Sequence, residues 1–383
     1  MNNPDWRIGI LFSETGATAA IEQTMINGSM LAIEEINSAG GVLGRPLKAV
    51  AYDPQSQAKK YREFAARMLV EDQVKIIFGA YMSSCRKAVL PEIEAHRGLF
   101  FYPTFYEGFE FSPRCFYTGA APNQGALQLA SYMMENFGSN FVLIGSNYVY
   151  PYEYNRVVTD FVVQSKGKIL DELYVPVEAK PEDFTRFIQR LQKLKPDVIV
   201  SSVVGIGVNY LYKAYAEAGF DPKTMPIAAA ATSEADVVSM APGTAAGHFT
   251  STVFFETLQT PAARRFVAAY KARFGASAPV TACAEAAYFE ILMYAKALEI
   301  AGTDNPDAII ETLKGMEFEA PQGRIRIDPT THHTELWPRL GKINMDHQFE
   351  IVWESDARVK PDPYFVAPTF DDWSKLALQH RKM

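Results

Sequence analysis

Three groups of residues have the types and spacing that catalysis uses. Cys85 follows Ser83-Ser84 at the start of a helical stretch, and a helix N-terminus can lower a thiol pKa and arm a nucleophile. An amidase of the nitrilase type would also need a Glu and a Lys beside that thiol. No local motif supplies them, so Cys85 reads as a small buried cysteine. His332-His333 is a paired histidine in an extended segment. Neighbouring residues there face opposite ways, so the two rings do not easily share a metal, and residues 330–335 read as a polar turn. Gly205-Ile-Gly207 follows a strand-like run as a dinucleotide fingerprint would, but Tyr210 stands where a third glycine must let a pyrophosphate approach. The sequence has no G-x-S-x-G elbow, no G-x-x-x-x-G-K-[ST] loop and no H-E-x-x-H. The expectation is a protein that is not an enzyme and needs no cofactor or metal.

A fourth group lies just after the strand-like runs. The first run leads into Ser13-Glu-Thr15, the third into Tyr81-Met-Ser83 and the fourth into Tyr102-Pro-Thr104. Later runs end in Ser146-Asn-Tyr148-Val-Tyr150, in Val204-Gly205 and in Thr232-Ser233-Glu234. Ligands of open parallel sheets sit beyond the carboxyl ends of strands. Tyrosines and hydroxyls with little net charge suit a small, neutral, polar ligand held by several hydrogen bonds. The competing reading is that each Ser or Thr merely caps the helix that follows.

The elements that must position these loops alternate. Strand-like runs at residues 7–12, 47–53, 74–79 and 99–102 are separated by helical patterns, as in a parallel sheet covered on both faces. The rhythm restarts with strands at 141–145, 169–175, 197–203 and 226–231, giving two α/β units of about 120 residues. After residue 250 come a strand, two long helices (261–274 and 281–301), three further strands (324–327, 340–344 and 349–354) and a short helix at 371–382. That tail is too small for a third domain and is expected to complete the first two.

The 383 residues suggest roughly two to three domains, and a 48% hydrophobic content supports a large core. A net charge of −7 without a basic run disfavours nucleic acid as a direct ligand. Cys85, Cys115 and Cys283 form neither a disulfide framework nor a zinc ribbon. The polar start resembles no secretory leader and no stretch is apolar enough to span a bilayer, so a soluble cytoplasmic chain is expected, with a processed periplasmic one as the alternative.

The same residues carry a family resemblance. The chain resembles the type I periplasmic-binding-protein superfamily and, within it, the short-chain aliphatic amide receptor that represses an amidase operon and the urea- and amide-binding transporter proteins. The matching stretches include Tyr81-Met-Ser83 with Arg86-Lys-Ala-Val89, Tyr102-Pro-Thr104 with Tyr106-Glu-Gly-Phe-Glu110, Ala121-Pro-Asn-Gln124, Gly145-Ser-Asn-Tyr148-Val-Tyr-Pro151, Thr232-Ser-Glu-Ala235 and Lys360-Pro-Asp-Pro-Tyr364. The resemblance implies an α/β fold of two doubly wound parallel-sheet lobes joined by three hinge crossings: residues 5–121 with 253–327, and 122–252 with 328–383. It implies ligand contacts from Tyr81, Ser83, Tyr102 and Thr104 in one lobe and from Tyr148, Tyr150, Val204 and Thr232 or Ser233 in the other. Ser83 and Thr104 would bond the amide, and the tyrosines would close around its alkyl end. Phe105 stands where the amide receptor is expected to carry proline, which implies a smaller pocket. The implied role is an amide-responsive negative regulator that holds an RNA-binding antiterminator protein, with a homo-oligomer also compatible; the alternative is the solute-binding protein of an ABC transporter for urea or short-chain amides.

Overall fold

Short strands that are apolar on both faces need helices on both faces, and that requirement builds each sheet. The computed structural model describes residues 5–364. The helix expected at 371–382 lies outside the described residues. The chain opens with β1 (Trp6–Leu11), α1 (Ala19–Ser38), β2 (Leu47–Ala51), α2 (Ala58–Val70), β3 (Ile76–Gly79), α3 (Ser83–Ala95), β4 (Leu99–Tyr102) and β5 (Cys115–Tyr117). These strands form one parallel sheet in the order β2-β1-β3-β4-β5. Every residue of β3, β4 and β5 is buried, and Phe78 stacks on Phe101 at 4.6 Å across the β3–β4 pair.

The next elements are α4 (Ala126–Asn136), β6 (Asn140–Ser146), α5 (Val149–Gln164), β7 (Lys168–Val175), α6 (Thr185–Leu194), β8 (Val198–Ser202), α7 (Gly207–Glu217), β9 (Ile227–Ala229), α8 (Glu234–Val237) and β10 (Phe249–Thr252). Then follow α9 (Pro261–Phe274), α10 (Ala282–Ala301), α11 (Pro306–Leu313), β11 (Glu317–Ala320), β12 (Gly323–Ile327), β13 (Thr334–Glu335), β14 (Arg339–Ile343) and β15 (Phe349–Glu354). The second sheet runs β15-β14-β10-β9-β8-β6-β7, parallel except for the reversed strand β14, which pairs antiparallel with both β10 and β15. Strands β11, β12 and β13 make a small antiparallel sheet.

The chain divides into two compact units. The first comprises the residues up to Phe105, Glu110–Gly119 and Gln259–Leu336; the second comprises Tyr106–Phe109, Ala120–Leu258 and the described residues from Trp337 onward. The tail splits between the two units, with α9 and α10 returning to the first, where Thr24 of α1 and Thr281 share a hydrogen bond of 2.8 Å. The expected boundaries at 121/122, 252/253 and 327/328 differ from these, for local reasons. Phe255 packs on Phe349 at 4.9 Å within the second unit's core, which carries that boundary on to Leu258. Residues 328–336 stay with the first unit because they cover the free edge of β5: Tyr117 N donates to His332 O (3.0 Å) and Thr334 Oγ1 donates to Tyr117 O (2.9 Å). A short excursion, Tyr106–Phe109, also joins the second unit, where Phe109 N donates to Pro363 O at 2.7 Å.

The histidine pair is a correction to the polar-turn expectation. His332 and His333 are both buried. His332 stacks on Phe116 at 4.7 Å and His333 on Tyr117 at 4.2 Å. Adjacent residues of a strand face opposite sides, so the two rings clasp β5 from both faces of the sheet. Burial lowers both imidazoles, to about 4 and about 3, and keeps them neutral at pH 7.

Candidate ligand-binding site

In the first unit the predicted residues cluster beyond the carboxyl ends of β3 and β4. Ala80 leaves β3 with φ +66°, a conformation that a residue with a Cβ rarely adopts. The turn is held on both sides. Ala80 N donates to Leu11 O at 3.0 Å and Ala80 O accepts from Thr104 Oγ1 at 3.2 Å. The kink carries Tyr81 and Met82 into α3, whose first residue is Ser83 and whose N-terminus no side chain caps. Tyr102 donates its hydroxyl to Tyr81 O at 2.7 Å, tying the ends of β3 and β4 together. Phe105 meets the Tyr81 ring edge to face, with centroids 6.1 Å apart. Tyr81, Ser83, Tyr102 and Thr104 are thus one connected group, all buried.

Charges around this group are paired. Arg86, one turn into α3, is fully buried; it donates through Nη1 to Ser83 Oγ at 3.1 Å and through Nε to Glu110 Oε1 at 2.6 Å. Its guanidinium also lies over the Tyr102 ring, 4.7 Å from the centroid. Burial alone would raise the Glu110 carboxyl, but Arg86 and then Lys87, at 2.8 Å, hold it below the usual range. On α1, burial pushes Glu22 up to about 7 against hydrogen bonds from Thr18, Tyr61 and the Ser13 amide. These bonds anchor the loop after β1. Burial first, then the nearby Glu22, raise the Cys85 thiol, which is the opposite of what a nucleophile needs.

The second unit presents its own strand-end face. Tyr148 precedes α5 and Tyr150 lies in its first turn, their ring centroids 6.3 Å apart. Val204 follows β8, and its N–H donates to Ser146 Oγ at 3.1 Å. Thr232 accepts from the Tyr212 hydroxyl at 3.2 Å. Ser233 is different. Its N–H and its hydroxyl both donate to Asp236 Oδ2 at 2.8 Å, so the Asp236 side chain reaching back ties it to the first turn of α8. Of the pair Thr232 and Ser233, the geometry leaves Thr232 as the candidate contact. Two acids adjoin this face, Glu234 buried and Asp236 partly so. Burial and then the neighbouring Glu256 push Glu234 up to about 8, and burial pushes Asp236 up to about 6. Helix α7 begins at Gly207 and places Tyr210 against the core, which removes the nucleotide reading of that segment.

Sequence reasoning missed Arg86, Glu110 and Glu22 as parts of these faces; Glu234 was in view in the loop after β9, but not as a buried acid with a raised pKa. Arg86 and Glu110 were in view as matching stretches, but a bond across 24 residues has no sequence period to announce it. A groove of about 400 Å³ lies elsewhere in the first unit, lined by Phe111, Arg114, Asp307, Lys314 and His332 among others. Phe111 and Arg114 precede β5, so it lies toward the amino end of that strand, away from the strand ends described here. Among the described residues no group of three His, Cys, Asp or Glu is placed to hold a metal, and no helix is long and apolar enough to cross a membrane.

Comparison with known proteins agrees with this architecture. A 127-residue stretch is 30% identical to a limonene hydroxylase of Geobacillus stearothermophilus, covering 33% of this chain but only 23% of that protein. The leucine-, isoleucine-, valine-, threonine- and alanine-binding protein of Pseudomonas aeruginosa is 24% identical over 84% of this chain and 85% of its own length. Among solved structures, a solute-binding protein of an ABC transporter from Rhodopseudomonas palustris, in complex with 3,4-dihydroxybenzoic acid, superposes with a TM-score of 0.83 at 22% identity, covering 93% of this chain and 99% of that one. The branched-chain amino acid binding protein LivJ of Streptococcus pneumoniae, with isoleucine, gives 0.81 at 20% identity, covering 93% and 100%. The sequence profile of the periplasmic binding protein domain family matches residues 6–369, and the chain belongs to that family.

Proposed function

We propose that this chain is the solute-binding component of an ABC-type transporter, and that its ligand is a small uncharged polar molecule of the amide or urea class. The observation that carries the ligand class is the unit-one face: two buried hydroxyls, Ser83 and Thr104, among tyrosine rings, with the adjacent cation Arg86 already paired to Glu110. Isoleucine and hydroxybenzoic acids, bound by the structural neighbours, carry a carboxylate. On the second unit's strand-end face burial pushes the Glu234 carboxyl up to about 8, which favours its neutral form at pH 7 and supports an uncharged ligand over a zwitterion. Tyr81 and Tyr102 supply the walls of the first unit's face, and Tyr148, Tyr150, Val204 and Thr232 are the corresponding candidates on the second unit's own face. The regulatory role with an antiterminator partner gives way to the transport role, because the relatives aligned over most of this chain are binding proteins. The transport role places the protein in the periplasm.

A thermal-shift panel of formamide, acetamide, propionamide, urea, leucine and 4-hydroxybenzoate tests the ligand class. Stabilisation by an amide or urea is expected; a response to leucine or the benzoate alone overturns it. At about −1.5 kcal/mol per heavy atom, a four-atom ligand reaches roughly −6 kcal/mol, so calorimetry is expected to give a Kd no tighter than tens of micromolar. Ser83→Ala and Thr104→Ala are each expected to cost about 0.5–1.5 kcal/mol of binding, a loss of roughly two- to twelvefold. Phe105→Ala removes the ring beside Tyr81. It is expected to shift preference toward propionamide over acetamide by about fourfold, the worth of one buried methylene. An unchanged ratio would place Phe105 outside the ligand's reach.

A further inference from the structure

Glu290, in the middle of α10, is a buried acid with no part in the site described so far. It is fully buried, and so is Thr118, the residue after β5. Tyr294, one turn further along α10, packs edge-on against Phe78 and Phe101, so this face of the helix covers β3 and β4. Glu290 Oε2 lies 2.7 Å from Thr118 Oγ1, and its other oxygen has no partner. Burial, opposed only by the Thr118 hydroxyl, raises this carboxyl well above the usual range, so it keeps its proton.

That proton settles a conflict at Thr118. A threonine hydroxyl has one proton, and two oxygens are in its reach: Glu290 Oε2 at 2.7 Å and Tyr102 O at 3.2 Å. An ionised Glu290 would take the proton and leave Thr118 Oγ1 and Tyr102 O as two lone-pair oxygens facing each other. The protonated acid donates to Thr118 Oγ1 instead. The Thr118 proton then goes to Tyr102 O, which also accepts the Thr118 N–H at 3.0 Å. Strand β4 ends at Tyr102, and the next residue, Pro103, has no N–H to extend the ladder. The two bonds from Thr118 therefore fasten the strand end from which Thr104 departs.

We propose that Glu290 is a positioning residue of the ligand site: as a hydrogen-bond donor from α10 it commits the Thr118 hydroxyl to Tyr102 O, and so fixes where Thr104 presents its side chain. The inference rests on the proposed ligand face and deepens it, by assigning the placement of one of its two hydroxyls to a helix on the far side of the strand end.

Acetamide calorimetry beside urea unfolding, on wild type, Glu290→Gln, Glu290→Met, Thr118→Val, Thr118→Ser and the Glu290→Met/Thr118→Val double variant, tests it. Glutamine keeps a donor at that place, and Glu290→Gln is expected to bind within about twofold of wild type. A larger change would mean that the charge of a carboxylate acts there, and overturns the inference. Methionine keeps the bulk without a donor. Glu290→Met is expected to weaken acetamide at least about threefold, within the range of one hydrogen bond. Thr118→Val is expected to do the same, and Thr118→Ser to restore most of the loss. If Glu290 acts through Thr118, the double variant binds no more weakly than Thr118→Val alone; losses that multiply overturn the inference. A lower urea midpoint for Glu290→Met with an unchanged Kd would make Glu290 a core residue only, and overturns it too. Should Glu290→Met fail to fold, Glu290→Asp keeps the acid but draws it back from Thr118 by one carbon. It must still weaken acetamide at least about threefold, and an unchanged Kd overturns the inference. If wild type binds leucine in place of acetamide, the ligand class fails, and the same series read on leucine judges Glu290. If wild type binds neither, the ligand class and the inference fall together.

Discussion

Gly119→Ala is expected to destabilise the first unit by about 1–3 kcal/mol or more and to abolish ligand binding. Gly119 lies two residues beyond β5, where the chain passes against the segment that follows β4. A Cβ built there would sit 2.1 Å from Thr104 C, 2.2 Å from Thr104 O and 2.4 Å from Phe105 N. All three are backbone atoms, so no side chain can rotate aside. Thr118, one residue earlier, anchors the approach by donating both its N–H (3.0 Å) and its hydroxyl (3.2 Å) to Tyr102 O. The added methyl therefore pushes directly on Thr104 and Phe105, the residues that present the second hydroxyl and limit the pocket. Urea unfolding combined with acetamide calorimetry measures both consequences. A variant with the wild-type midpoint and wild-type affinity would mean that the backbone of Thr104 is free to move, and that its hydroxyl is not held as described.

The strand-end logic that singled out Tyr81, Ser83, Tyr102, Thr104, Val204 and Thr232 was legible because β3, β4, β8 and β9 are short apolar runs ending at hydroxyl or aromatic residues. The same reading failed at β5, which is three residues long and follows a polar, proline-containing stretch, so no alternation marks it. Missing β5 concealed why the histidine pair is apolar in setting: its covering partner was not in view. Ser233 shows the reverse. The spacing Ser233-Glu-Ala-Asp236 is that of a capping box, and there the Asp236 carboxylate takes both the N–H and the hydroxyl of Ser233. Ser83 looks similar in sequence, but its acceptor role is taken by a guanidinium three residues on rather than by a cap. The residue types after the strands were read as a face with little net charge. Its cause is in part the burial of Glu22 and Glu234, and burial of a single acid in an otherwise apolar segment is decided by tertiary packing.

Glu234→Gln is expected to make the second unit more stable than wild type above pH 8 and to flatten its dependence on pH. Burial, reinforced by Glu256, raises the Glu234 carboxyl from its ordinary 4.5 to about 8 in the folded protein. Below pH 4.5 the folded and unfolded chains are both protonated there, and the fold carries no penalty. Between 4.5 and 8 the unfolded chain releases its proton while the folded one keeps it, so the unfolded state binds fewer protons and stability falls as pH rises. Above 8 the folded protein holds a buried carboxylate, and the loss is complete. At about 1.4 kcal/mol per pH unit the window is worth several kcal/mol. Glutamine keeps the carbonyl oxygen that accepts from Glu256 N at 3.1 Å, nearly the same volume, and no charge in either state. Asp236 and Glu22 titrate in overlapping windows, near 6 and 7, but both remain in the variant, so the difference between the two proteins isolates Glu234. Melting midpoints recorded from pH 4 to pH 9 are expected to coincide at the acidic end and to diverge in favour of glutamine as pH rises. Two parallel curves would show that Glu234 is already ionised at neutral pH. The second unit would then carry a fixed negative charge beside Thr232, and a ligand with a cationic group would become the better fit for that face.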